Sequence, residues 1–262
     1  MKISIIQFQP ELGDIAANTQ KVSKLINTVN DADLIILPEL ANTGYNFKDK
    51  KQALSLASYP EESTYVEMLV NHAKKNKQFI VTGFNELHEN KLYNSSLLVT
   101  KDGIAGKYRK VHLFMNEKSI FEPGNLGFPV FDLLEYKLGM LICFDYLFPE
   151  AWRIMGLKGA DIIAHPSNLI TENAYRVVPA QAIMNRFFVF TANRIGTERD
   201  LIFNGKSFAT DPSGNIMNRA SDERETILSF DIDPLQARDK FITPLNHVLD
   251  DRFPEKYNGI IE

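Results

Sequence analysis

The sequence predicts an α/β fold whose sheets are buried on both faces, and three observations carry that expectation. Short apolar runs alternate with segments of helical spacing along the 262-residue chain. Runs such as Leu34 to Leu37 and Leu138 to Cys143 are apolar at successive positions and not at every second one, as expected of strands covered on both sides. Finally, an eight-residue pattern recurs. Ala32-Asp33-Leu34-Ile35-Ile36-Leu37-Pro38-Glu39 matches Ala160-Asp161-Ile162-Ile163-Ala164-His165-Pro166-Ser167, each after a helical segment and each with proline at the same offset. Such an echo hints at two similar halves facing one another.

Ile3 to Phe8 reads as the first strand, and Asn18 to Val29 as a helix through Val22, Leu25, Ile26 and Val29. Leu34 to Leu37 is a short buried strand stopped by Pro38. Thr64 to Lys75 reads as a helix and Phe79 to Phe84 as a strand. Leu92 to Arg109 reads as a hairpin turning at Lys101-Asp102-Gly103. The order then repeats: strand 138–143, helix 150–158, strand 161–165, helix 173–185, strand 187–192, and further strands between 201 and 230. No Pro/Gly/Ser-rich linker divides the chain, so residues 1–262 are expected to form one domain. The stretch from Pro244 to Tyr257 is polar and proline-punctuated, more an arm than a core element.

Composition narrows the function. With 44% hydrophobic and 24% charged residues the chain can bury a sizeable core. A net charge of -4 supplies no basic field for nucleic acid or an anionic membrane surface. The N-terminal apolar stretch is too short for a secretory signal, and no run approaches the roughly 20 apolar residues of a membrane span. A single cysteine excludes a disulfide framework and a cysteine metal cluster, so a cytoplasmic protein is expected. Gly205-Lys206-Ser207 imitates the end of a phosphate-binding loop, but the glycine required five residues earlier is Asp200.

That cysteine, Cys143, ends the apolar run Leu138 to Ile142 and precedes Pro149-Glu150-Ala151-Trp152, which reads as the start of a helix. It is either an inert small hydrophobe or a nucleophile, and the strand-to-helix turn favours the nucleophile, as in a nucleophile elbow. A thiol nucleophile needs a base and oxyanion donors. Of the five histidines only His165 sits at a strand end near this edge, and a packed core histidine accounts for it better than a base. Glu39 follows a buried strand at the same kind of edge, although a strand-end carboxylate is commonly just a charge returning to solvent. Lys110 lies in a basic stretch leaving the hairpin, and Glu117 seven residues beyond it, with Glu122 nearby.

Together these residues resemble the nitrilase superfamily of carbon–nitrogen hydrolases over essentially the whole chain. Glu39 in Leu-Pro-Glu, Lys110 in Tyr-Arg-Lys-Val-His-Leu-Phe and Cys143 in Ile-Cys-Phe-Asp-Tyr-Leu-Phe-Pro-Glu look like its Glu-Lys-Cys triad, and Glu117 occupies the place of its second active-site glutamate. His165-Pro166-Ser167-Asn168 and Thr191-Ala192-Asn193-Arg194 also look like family segments. The resemblance implies a four-layer αββα sandwich and a homodimer with residues of about 240–262 as an arm at the interface. It implies cofactor-free and metal-free hydrolysis of a small amide or carbamoyl compound, with a nitrile as the alternative substrate. The backbone N–H of Phe144 would be an oxyanion donor, and Tyr45, Tyr146 and Asn168 would line the pocket. Phe144-Asp145 after the cysteine is the amidase-like version of a position where nitrile-acting members commonly carry Trp-Glu. Two rivals make different predictions: a papain-like pairing of Cys143 with His165, and a catalytically dead binding module.

Overall fold

Two six-stranded sheets lie at the centre of the structure, a computed structural model that describes residues 1–260. Numbered along the chain, the first sheet comprises β1 (Lys2–Gln7), β2 (Leu34–Ile36), β3 (Phe79–His88), β4 (Lys91–Thr100), β5 (Gly103–Arg109) and β14 (Thr226–Asp231). The second comprises β6 (Val130–Leu133), β7 (Tyr136–Met140), β8 (Ile162–Pro166), β9 (Phe188–Ala192), β12 (Phe208–Thr210) and β13 (Ile216–Arg219). Two ribbons stand apart: β10 (Ile195–Glu198) with β11 (Leu201–Asn204), and β15 (Phe241–Thr243) with β16 (Asn246–His247). The helices are α1 (Ile15–Ile26), α2 (Lys50–Ser55), α3 (Thr64–Asn76), α4 (Glu117–Ile120), α5 (Pro149–Leu157) and α6 (Ala174–Asn185).

The sheets share one plan. In the order β14-β1-β2-β3-β4-β5 the middle three, β1 to β3, run parallel and their outer neighbours antiparallel. The order β6-β7-β8-β9-β12-β13 repeats this, with β7 to β9 as the parallel centre. The sequence echo therefore falls on β2 and β8, which hold the same place in the two sheets.

Side-chain alternation explains the continuous apolar runs. Ile3, Ile5, Leu34 and Ile36 join a core that includes Leu138, Met140, Ile162, Ala164 and Phe190 of the second sheet. Ile6, Ile35 and Leu37 point the other way, against Val22 and Ile26 of α1 and Tyr65 and Leu69 of α3. On the far side Trp152 and Met155 of α5 and Val178 and Ala182 of α6 close the second sheet. The result is the expected four layers, helix–sheet–sheet–helix.

Several boundaries differ from the sequence reading. α1 begins at Ile15 because Asp14 caps it, accepting from Ala17 N–H at 2.8 Å. β3 runs on to His88 because its antiparallel pairing with β4 persists to the hairpin end. The run expected as a strand to residue 143 leaves the sheet after Met140, and Cys143–Leu147 forms a 3-10 turn. The short elements α2, β6, β10 and the ribbon β15–β16 escape the sequence signal, whereas β11 falls among the strands expected between 201 and 230. From β15 onward the chain is exposed, with Phe241, Ile242, Leu245 and Phe253 open to solvent; residues 261 and 262 of the expected arm lie outside the described residues. No helix among the described residues is long and apolar enough to cross a membrane.

Candidate active site

Three chain segments converge where β2, β5 and β7 end. β2 runs out at Ile36 and Pro38 turns the chain, leaving Glu39 fully buried. The neighbouring strand passes beneath this turn at Gly83, whose N–H donates to Pro38 O at 3.0 Å. A Cβ on Gly83 would stand 2.3 Å from Leu40 N and 2.4 Å from Glu39 Cα, so glycine is required for the approach. Lys110 follows β5, tied by its N–H to Asn94 O and by its carbonyl to Gly124 N–H, both at 2.8 Å. Cys143 opens the 3-10 turn after β7 with φ of 43°, a left-handed conformation uncommon outside glycine and characteristic of strained functional turns.

The side chains meet in a buried cluster. Lys110 Nζ donates to Glu39 Oε1 at 2.7 Å and to Glu117 Oε1 at 2.8 Å. Asn94 on β4 donates to the same two oxygens, at 2.7 and 3.0 Å. Glu117 opens α4, and its Oε2 accepts from Phe114 N–H at 2.6 Å. Glu39 Oε2 has no hydrogen-bond partner among the described residues. The Asn168 side chain donates to Glu39 O at 3.1 Å.

Electrostatics follow from burial. Desolvation disfavours the Lys110 cation, but Glu117 and Glu39 outweigh it and hold the ammonium well above its ordinary pKa. Burial pushes the Cys143 thiol well up, reinforced by Glu39 and opposed by Lys110, so the resting group is the thiol. Glu117 is pushed up to about 7, chiefly by burial and against the pull of Lys110. Tyr45 is likewise raised, chiefly by burial and further by the nearby charges of Glu117 and Glu39.

The remaining sequence candidates have definite places. Tyr45 lies on a loop held by Glu198 Oε2, which accepts Tyr45 N–H at 3.0 Å and Asn46 N–H at 2.7 Å. Glu198 is itself paired with the buried Arg194. Phe144 packs on Phe114, Tyr146 and Phe148, and Tyr146 is buried beside it. Glu122 bonds Lys50 at 3.4 Å in an exposed pair, whereas Glu117 enters the cluster. His165 donates from Nε2 to the Cys143 carbonyl at 2.9 Å, and burial lowers its pKa to about 4, a neutral core histidine bonding the backbone. The papain-like pairing therefore has no geometric support.

Asn94 was missed by sequence reading; its only signal is the polar interruption Asn94-Ser95-Ser96 inside an apolar hairpin strand. A pocket of about 30 Å³ opens beside Glu117, lined by Tyr45, Phe47, Met115, Asn116, Phe121 and Leu201 among others. A wider groove of about 390 Å³ between α1 and α3 holds none of the cluster residues.

Two stacked sheets of this order, with outer helices, define the nitrilase-type sandwich. A sequence profile described as carbon-nitrogen hydrolase matches residues 2–239. A nitrilase from Pyrococcus abyssi (strain GE5 / Orsay) is 41% identical over 259 residues, covering 98% of this chain and 99% of its own. An (R)-stereoselective amidase from a Pseudomonas species is 34% identical, covering 90% of this chain and 87% of its own. The crystal structure of a carbon–nitrogen hydrolase from Helicobacter pylori G27 superposes with a TM-score of 0.90 at 27% identity, covering 100% of this chain and 98% of that one. The chain belongs to the carbon–nitrogen hydrolase family of the nitrilase superfamily, enzymes acting on non-peptide C–N bonds.

Proposed function

We propose that the protein hydrolyses a small amide or carbamoyl compound through a thioester on Cys143. One observation carries this reading: Glu39 is anchored through Oε1 by Lys110 and Asn94 while its Oε2 is left free in a buried site beside a protonated thiol. A fixed carboxylate with an open lone pair is equipped to take the thiol proton as sulfur attacks the carbonyl carbon. Lys110 and the Phe144 N–H would stabilise the oxyanion. Collapse breaks the C–N bond, and Glu39 returns the proton to the departing ammonia or amine. Water deprotonated by Glu39 then attacks the thioester, with Glu117 and Tyr45 helping to place it. The acid leaves, and the proton goes back to sulfur.

The pocket beside Glu117 is the natural approach for substrate, and its size favours a compound of few atoms at the reacting end. Asp145 after Phe144 supports an amide over a nitrile. The 41% identical nitrilase supports the second reading, in which the same attack gives a thioimidate from a nitrile. Ammonia release from short amides, ω-amides, N-carbamoyl compounds and nitriles, with Cys143→Ala as blank, separates them. Release from amides or carbamoyl compounds alone supports the amidase; release from nitriles alone transfers the site to nitrile hydrolysis. No Cys143-dependent release from any class sinks both and returns the fold to a binding role.

A further inference from the structure

We propose that Asp145 is a positioning residue whose carboxylate clamps the turn carrying Cys143 to the segment carrying Lys110; the proposal rests on the reaction described above. The Asp145 side chain is fully buried, and each oxygen takes two donors. Oδ2 accepts from Ile142 N–H, one residue before the cysteine, at 2.9 Å and from the Tyr108 hydroxyl at 2.8 Å. Oδ1 accepts from His112 N–H at 3.2 Å and from its ring Nδ1 at 2.7 Å. Tyr108 and His112 stand two residues either side of Lys110. The carboxylate thus joins the nucleophile's turn to both flanks of the lysine.

Neighbouring contacts stiffen the clamp. Tyr108 also accepts Val111 N–H at 3.2 Å, and the His112 ring stacks on Phe148 with centroids 3.6 Å apart and planes within 6°. Phe148 closes the 3-10 turn that Cys143 opens. Trp152 Nε1 donates to the carbonyls of Asp145 and Tyr146 at 3.2 and 3.3 Å, pinning the same turn from α5. A left-handed φ at Cys143 persists only where the surroundings hold it, and the Ile142 bond acts at the adjacent residue.

The chemistry explains why a carboxylate stands here. Each oxygen faces one backbone N–H, of Ile142 or of His112, which cannot become an acceptor. An asparagine turned either way would set its NH2 against one of them. Asp145→Asn therefore breaks one arm of the clamp at nearly constant volume.

The test is steady-state kinetics with thermal unfolding and Cys143 alkylation by iodoacetamide, for wild type, Asp145→Asn and Tyr108→Phe. Asp145→Asn is expected to lower kcat per folded site about 10²-fold, the scale of an ångström-size misplacement, with KM nearly unchanged. Cys143 alkylation should slow in parallel. Tyr108→Phe removes one donor to a charged acceptor and should lower kcat about tenfold while the protein stays folded. A merely structural role would lower the melting temperature and leave kcat per folded site at the wild-type value, which overturns the proposal. Should Asp145→Asn not fold, Tyr108→Phe decides: wild-type kcat and alkylation there also overturn it. Alkylation needs no substrate, so it judges the clamp even if turnover proves independent of Cys143, an outcome that refutes the reaction instead.

Discussion

Lys110 carries a cation between two carboxylates in a site with no bulk water around it, so its removal has two separable consequences. Lys110→Ala takes away an oxyanion donor and is expected to lower kcat about 10²–10³-fold. It also leaves Glu39 and Glu117 facing each other without their shared counter-ion. Breaking a buried pair from one side costs about 3–5 kcal/mol, so the melting temperature should fall as well. Kinetics on folded protein beside calorimetry separates the two effects. Glu117 makes a pH prediction. Its folded pKa of about 7 exceeds the ordinary 4.5, so between these values the folded state binds a proton that the unfolded chain has released. Stability contributed by this group is therefore present at low pH and declines as pH rises from about 4.5 to about 7. Glu117→Gln should remove that slope, and the melting temperature of wild type relative to the variant should drop across the interval. A rising difference would show that Lys110 overrides desolvation at this carboxylate.

At the scale of elements, the turn after β2 depends on its neighbour. Gly83→Ala forces a Cβ into the backbone of Glu39 and Leu40, where no flexible side chain can yield. Overpacking of this kind costs about 1–3 kcal/mol, and here it also displaces the base, so activity and stability should fall together. Gly259→Ala, with nothing within 4 Å of the added atom, should change stability by less than about 0.5 kcal/mol when both variants are unfolded in urea. These two glycines look alike in the sequence. What was legible were features with a local cause: β2, β3, β8, α3 and α5 follow from apolar runs, helical spacing and Pro149. Glu39, Lys110 and Cys143 were singled out together by resemblance to family motifs; of their positions in the chain, only the turn after the apolar run at Cys143 spoke for a chemical role. What was not legible depends on partners across the fold. α4 has four residues and is ordered by the contacts of Glu117, and β10 ends on Glu198, which holds the Tyr45 loop. Asn94 means nothing until Glu39 and Glu117 are seen to share it.

On the scale of the molecule, the two sheets close their inner faces on each other and their outer faces with helices, so the core has no uncovered side. The chain beyond β14 is different. Phe241, Ile242, Leu245 and Phe253 are each more than half exposed, and Leu245 is 88% exposed, in a segment whose polar groups mostly bond one another. Isolated apolar side chains on a surface are ordinary, but four within thirteen residues of an extended arm make a sticky patch unless something covers it. The expected cover is a second copy of the chain, with the arms reaching across a two-fold interface. Such an arm adds nothing to the cluster of Glu39, Lys110 and Cys143, so its loss should act on assembly before chemistry. Deleting residues 240–262 removes Lys240, which donates to the carbonyls of Asn185 and Arg186 at the end of α6, and so perturbs folding as well. Leu245→Asp is cleaner because the residue touches little within its own chain. Sedimentation velocity should find the wild type as a dimer or larger and the Leu245→Asp protein shifted toward monomer, with an unchanged melting transition at high concentration. A wild-type monomer at every concentration would remove the dimer and leave the patch to another partner.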